Sequence, residues 1–193
     1  FTGTANFSGN TINSYGLQDG YLAKYDPQGN LEWITHIGGL SMDLSSSICL
    51  DNSGHVIIAG QFAGVATFGS NILTSVNSSY DCFVAQYDTS GNCIWALQGG
   101  SAQSYDNISG IAVDAADDIY VIGWLSTGAV FDWYTAPVTG IATTFIAKVR
   151  STGSVMWATA SCIHTSGSMP LYALKVTPDS FGYVYITANF SGN

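Results

Sequence analysis

The chain has 193 residues, a formal net charge of −9, four Lys+Arg, 47% hydrophobic and 9% charged residues. That apolar content supports a packed core rather than a disordered chain. The acidic balance leaves no basic footprint for nucleic acid or an anionic membrane surface, and no apolar run approaches the ~18 residues of a membrane-spanning helix.

In chain order, "FTGTANF" (1–7) reads as a strand repeating the last strand of a unit, and "ANFSGN" occurs at 5–10 and again at 188–193. The opening at Phe1, inside a strand-like stretch, is read as a mature product or an excerpt of a longer chain. "DGYLAKYD" (19–26) follows, then "YDPQGNLEW" (25–33). The latter returns as "YDTSGNCIW" (87–95) and "VRSTGSVMW" (149–157), so Trp33, Trp95 and Trp157 recur at intervals of 62. "SICLDNSGHVIIAGQF" (47–62) likewise returns at 110–125 and 173–190. Fixed self-similarity of this kind marks a repeat architecture. The repeats run 8–62, 63–125 and 126–190, behind the leading strand 1–7, and form one repeat domain over 1–193.

Each unit carries four short strand signals, here called a ("GIAVD"), b ("DIYVIGW"), c ("FVAQYD") and d ("CIWALQ"). They are rich in Val, Ile, Tyr, Phe and Trp and bounded by Gly, Asn, Asp and Ser. Asp26, Asp51, Asp88 and Asp114 fall in the a–b and c–d turns. There a carboxylate accepts backbone N–H groups and a following Gly takes positive φ. No helical periodicity is present, so the fold class is all-β. A four-stranded antiparallel meander repeating at this period predicts β-propeller blades, with Trp33, Trp95 and Trp157 in the layers between them. Strands b, c and d of a first blade fall in 1–37, complete blades in 46–98 and 109–160, and strands a and b of a fourth in 172–190. One chain therefore supplies an incomplete ring whose edge strands invite self-association or continuation in a longer polypeptide.

The stretch 81–131 closely resembles the SBBP type (seven-bladed beta-propeller repeat) of bacterial propeller repeat, with the pattern D-x-F-V-A-K-Y-D-x-x-G-N-x-x-W, then G-G, then G-I-A-V-D-x-x-G-N-x-Y-V-x-G-x-F. The resemblance covers nearly the whole chain. It weakens at Arg150, Thr177 and Ala188, which stand where the pattern has Asp, Asp and Gly; "SFG" (180–182) blurs the last a–b turn, and the first unit lacks a match to "VATFGSN" (65–71). It implies a propeller in a secreted or cell-surface setting, and brings no catalytic residues with it.

Chemistry-bearing motifs are sparse. His36, His55 and His164 occupy unrelated repeat positions, and Glu32 is the one Glu. No HExxH, GxSxG, Walker or dinucleotide-binding pattern occurs. Cys49, Cys82, Cys93 and Cys162 have no metal-ligand spacing and read as isolated small residues, with a Cys82–Cys93 hairpin disulfide as the alternative. No metal or cofactor is expected. Asn6, Asn77, Asn107 and Asn189 lie in glycosylation sequons. Asp117 and Asp118 read as solvated turn charge.

Asp43 and Asp106 are equivalent, each eight residues before the strand-a Asp. They lie with Tyr105 in the longer d–a connections, which share a face with the b–c connections. Trp133 and Tyr134, in "FDWYTAP" (131–137), fall in a b–c connection. These five are the candidate binding residues of a loop face suited to protein or glycan. The leading reading is a non-enzymatic extracellular or cell-surface scaffold, adhesin or binding module. The rival is a propeller lyase or hydrolase acting on glycans.

Overall fold

A computed structural model describes residues 1–102, 105–137, 142–164 and 175–187. Every sheet is antiparallel, and no α-helix occurs among the described residues. The first blade contributes strand c as β3 (Gly20–Tyr25) and strand d as β4 (Leu31–Gly39), preceded by a hairpin of β1 (Thr4–Phe7) and β2 (Asn10–Asn13). The second runs a to d as β5 (Leu44–Leu50), β6 (Val56–Ala63), β9 (Tyr80–Tyr87) and β10 (Cys93–Gly100). The hairpin β7 (Val65–Phe68)–β8 (Asn71–Thr74) lies between its strands b and c. The third runs β11 (Asn107–Val113), β12 (Ile119–Ser126), β15 (Ala142–Val149) and β16 (Val155–His164), with the hairpin β13 (Val130–Phe131)–β14 (Tyr134–Thr135) in the same place. Strands a and b of a fourth blade are β17 (Lys175–Pro178) and β18 (Val184–Thr187). The described residues thus form blades but no closed ring.

Three apolar layers hold the blades face to face. Leu22, Phe62, Phe83 and Tyr87 lie between the first and second blades, and Ile57, Val84, Ile108 and Phe145 between the second and third. Tyr120, Ile122 and Ile146 meet Val176 of the fourth. Strands b and c of the second and third blades are therefore buried on both sides, which explains their near-continuous apolar runs. The innermost strands touch too: β11 packs against both β5 and β17, and Ser46 donates its hydroxyl to the Ile108 carbonyl.

The 62-residue Trp marks a second inter-blade clasp. The Trp33 indole N–H donates to the Thr89 carbonyl at 3.0 Å, and that of Trp95 donates to the Ser151 carbonyl at 2.8 Å, each reaching the c–d turn of the next blade. Gly91 (φ 84°) and Gly153 (φ 87°) in those turns lie so close that a Cβ would meet the indole at 2.9 and 2.8 Å. The bulge in each c–d hairpin recurs at the same place, between Lys24/Tyr25, Cys93/Trp95 and Lys148/Val149. Such a bulge re-aims side chains relative to a regular ladder. The three Trp are half-buried at the turn end of the seam rather than sunk in its centre.

Several sequence expectations change. Residues 1–7 do not form strand b, because Thr4–Phe7 pairs with Asn10–Asn13. This hairpin matches β7–β8 down to the Ser14 and Ser75 N–H bonds to the Gly3 and Gly64 carbonyls, both 2.8 Å. "TANFSGN" is thus the missing counterpart of "VATFGSN". Its two equivalents reach back to the preceding blade, where β7 pairs with β4 and β13 with β10. Cys82 and Cys93 are free thiols, as is Cys49. Cys82 faces Gly99 and Cys93 faces Tyr87, at opposite ends of the hairpin, too far apart to bridge. The last a–b turn is built on Asp179 rather than on position 177: its carboxylate accepts the Phe181 and Tyr183 N–H groups at 2.9 Å. The Arg150 turn closes through its backbone bonds to Ser154 and Gly153, without a capping carboxylate.

Truncating the clasp, Trp95→Ala, is expected to cost about 2–3 kcal/mol, short of the ~3–5 of a fully buried Trp. Gly153→Ala, which introduces both the φ strain and the clash, should cost about 1–3 kcal/mol. Urea unfolding of each variant checks the pair, and losses below ~0.5 kcal/mol in both would show that the clasp does not hold the blades together.

Candidate binding face

The a–b and c–d turns gather at one end of the blades and the d–a and b–c connections at the other. At the turn end, Asp26, Asp51, Asp88 and Asp114 cap backbone as their spacing implies. Asp26 and Asp88 accept N–H groups two and four residues ahead, at 2.8–2.9 Å. The Asn30 and Asn92 side chains add to this and hold the two carboxyls below their ordinary value. Asp51 also receives His55 and Gln86, each at 2.9 Å. Burial pushes the Asp114 carboxyl up, but Lys148 at 3.0 Å and two backbone N–H groups outweigh it and bring it down. Asp117 and Asp118 are not merely solvated: Asp117 accepts Asn52 from the neighbouring blade at 2.8 Å, and Asp118 pairs with Lys148 at 3.0 Å.

The other end is organised by two equivalent pairs of buried carboxylates. Asp43 accepts the Gly39 N–H at 2.7 Å and the Ala63 N–H at 3.3 Å, tying strand d of the first blade to strand b of the second. Asp106 does the same for Ser101 (2.9 Å) and Ser126 (2.5 Å). Beside them, Asp19 accepts the Tyr15 N–H at 2.7 Å and Asp81 the Val76 N–H at 3.0 Å, fixing the b–c connections. His36, dismissed on sequence, packs here with Nε2 2.5 Å from the Asp19 carboxylate. Burial raises Asp43, Asp81 and Asp106 to about 6 each, despite the backbone N–H groups that pull the other way. The third c strand has the uncharged Thr143 in the place of Asp19 and Asp81.

Asp43 and Asp106 therefore face inward and shape the loops, while the surface above them is aromatic. Tyr105, half-exposed and held at φ 78°, stacks on Tyr80 with ring centroids 5.1 Å apart and planes 7° off parallel. Tyr15 lies 4.2 Å over His36, and Leu17 and Leu40 are exposed on the same end. Sequence reasoning found Tyr105 but missed Tyr80 and Tyr15, because they occupy positions that the other units fill with different residues. Trp133 and Tyr134 do not join this face. They lie at the tip of the β13–β14 hairpin on the outer edge, where the Trp133 indole donates to the Val155 carbonyl at 3.0 Å and Tyr134 packs on the layer between the second and third blades. No cluster of three His, Cys, Asp or Glu arranged for a metal ion occurs among the described residues.

No family model matches the chain. Over 112 residues, 53% of the chain, it is 31% identical to an uncharacterized WD repeat-containing protein, L264, of Acanthamoeba polyphaga mimivirus. Over 105 residues, 52% of the chain, it is 22% identical to the regulatory protein FlaEY of Caulobacter vibrioides. These matches cover 8% and 11% of the relatives' own lengths. Blades and similarity agree on a propeller-like repeat protein.

The buried carboxylates predict an inverted pH dependence. Their folded-state pKa values lie above the ordinary 3.8, so the folded chain holds more protons than the unfolded one between about pH 4 and 6. Their stabilising contribution is complete below about pH 4 and is lost as pH rises through 6, on the order of 1–3 kcal/mol per group. Urea midpoints should therefore be higher at about pH 5 than at about pH 7.5; equal midpoints would mean that these groups titrate normally.

Proposed function

We propose that this chain is a non-enzymatic propeller scaffold of the SBBP type that works as a bacterial extracellular or cell-surface adhesin or binding module. It presents the d–a/b–c face to a glycan or protein. The observation that carries the reading is the stack of exposed Tyr105 on half-buried Tyr80, next to the buried carboxylates Asp81 and Asp106. Flat aromatic rings with polar tips suit sugar faces and protein hot spots, and a fixed platform lowers the ordering cost of binding. Tyr105 at positive φ adds backbone strain of the kind found at ligand clamps. The residue-level likeness to SBBP repeats supports the surface setting, and the similarity to a WD repeat-containing protein supports a scaffold over an enzyme.

The glycan lyase or hydrolase reading finds little support at this end. Asp43, Asp81 and Asp106 are buried and spend their oxygens on N–H and hydroxyl groups, so none is presented to a substrate. A glycan array probed with the labelled chain tests the proposal. Tyr105→Ser should lower binding at least tenfold while the melting temperature holds. Release of cleaved or unsaturated sugars from bound glycans would instead establish the enzyme.

A further inference from the structure

Tyr80 and Tyr105 meet at the loop end of the seam between the two complete blades, Tyr80 opening β9 and Tyr105 standing just ahead of β11. We propose that this stack takes an arginine side chain from a basic segment of a partner protein. The inference rests on the reading of the loop end as a binding face, and it names the ligand.

The charge beside the rings is the first argument. Asp81 and Asp106 each follow one of the two Tyr in the chain, are buried, and accept N–H and O–H groups rather than a cation. Burial raises both carboxyls to about 6, so at about pH 7.5 they are ionised. Asp19 and Asp43 occupy the equivalent places one seam away, with His36 beside Asp19. None of the chain's four Lys and Arg stands at this end. Lys24, Lys148 and Arg150 belong to the c–d hairpins near their turns, and Lys175 lies within β17. Negative charge in poorly solvated surroundings acts further than in bulk water. A cation arriving over the rings supplies the neutralisation that no Lys or Arg of the chain supplies there.

The second argument is what the neighbouring polar groups leave to offer, and it selects among ligands. A sugar stacked on a ring also needs side-chain donors and acceptors for its hydroxyls. Among the described residues those groups turn inward. The Ser79 hydroxyl lies within reach of the Val76 and Ser101 carbonyls, at 2.7 and 2.6 Å, and of Asp81 at 3.2 Å. The Ser126 hydroxyl donates to the Tyr105 carbonyl at 3.2 Å, and the Tyr80 hydroxyl points at the Met42 sulfur, 3.8 Å away. What stays outside is the ring of Tyr105, half-exposed and parallel to Tyr80 within 7°. The Asp106 N–H bonds the Tyr80 carbonyl at 2.8 Å and so ties the two segments together. A ring face attracts a cation through its quadrupole. A guanidinium is planar and weakly hydrated and lies flat on such a face, whereas an ammonium holds its water more tightly. Ring and field together therefore suit arginine better than lysine or a neutral sugar.

Calorimetric titration at the same pH with end-blocked hexapeptides of arginine, lysine and citrulline tests this. Citrulline keeps the planar side chain and drops its charge. The arginine peptide should bind at least tenfold tighter than the citrulline peptide and more tightly than the lysine peptide. Raising the salt from about 0.05 to about 0.5 M should weaken it at least tenfold. Tyr105→Ser should lower its affinity at least tenfold with an unchanged melt. Asp81→Asn should lower it severalfold. Asp88→Asn, which removes the same charge from the turn end and keeps the turn acceptor, should leave it within twofold. Equal affinity for the arginine and citrulline peptides, or equal losses in Asp81→Asn and Asp88→Asn, would overturn the proposal. The peptide comparison on the unaltered chain decides the matter even where Asp81→Asn fails to fold. A glycan held through Tyr105 and displaced by neither salt nor the arginine peptide would also overturn it and leave the binding face standing. Peptide and glycan binding both indifferent to Tyr105→Ser would overturn the two readings together.

Discussion

The complete blades are apolar on both faces, and such a sheet cannot cover itself. That constraint governs the rest. Strands β6 and β12 bury nearly every side chain, whichever way it points. A complete blade must therefore sit between two others, and the chain satisfies this for the second and third by laying blades face to face with the a strands inward. What remains is the handling of the seams at their two ends. At the turn end, indoles and an Asn–Asp contact cross from blade to blade. At the loop end, inward carboxylates collect the N–H groups that strand ends leave without ladder partners. Buried backbone donors must be satisfied somewhere, and one Asp reaching two adjacent blades does so with a single side chain.

The arithmetic of the repeat made most of this legible. The interval between Trp33, Trp95 and Trp157, the turn Asp residues and the Val-, Ile- and aromatic-rich stretches between them mark strands a to d and their pairing. What escaped was whatever repeats in shape without repeating in residues. The β1–β2 hairpin shares only scattered positions with β7–β8, so "FTGTANF" reads as strand b, whereas in the fold the Gly3 and Gly64 carbonyls accept equivalent bonds. The turn on Asp179 was hidden because Pro178 and Asp179 shift the register of the familiar triplet. Asp43 and Asp106 were visible as equivalents, but spacing does not tell an inward carboxylate from an outward one. Tyr80 and Tyr105 are far apart in sequence, and only tertiary structure brings their rings together.

The two ends of the blades differ in chemical character as a result. The turn end is tied by Asn52–Asp117, Lys148–Asp114 and the indole bonds. The loop end carries its charges inside and its aromatic rings outside. A low count of ionic groups suits that arrangement, since the carboxylates that do occur there neighbour one another, Asp19 with Asp43 and Asp81 with Asp106.

The backward-reaching hairpins bear on how such a chain assembles during synthesis. β7–β8 leaves the ribosome after β4 and seals it from outside, about thirty residues later, and β13–β14 does the same for β10. Pairings this local in sequence form early and cheaply. These two outer edges are thus closed by a hairpin of the next blade, once its strands a and b have emerged, rather than by a distant stretch. A repeat array with such latches can grow blade by blade, with its newest outer strand exposed only until the b–c hairpin of the following blade appears, which shortens the time in which a half-made array could pair with the wrong neighbour.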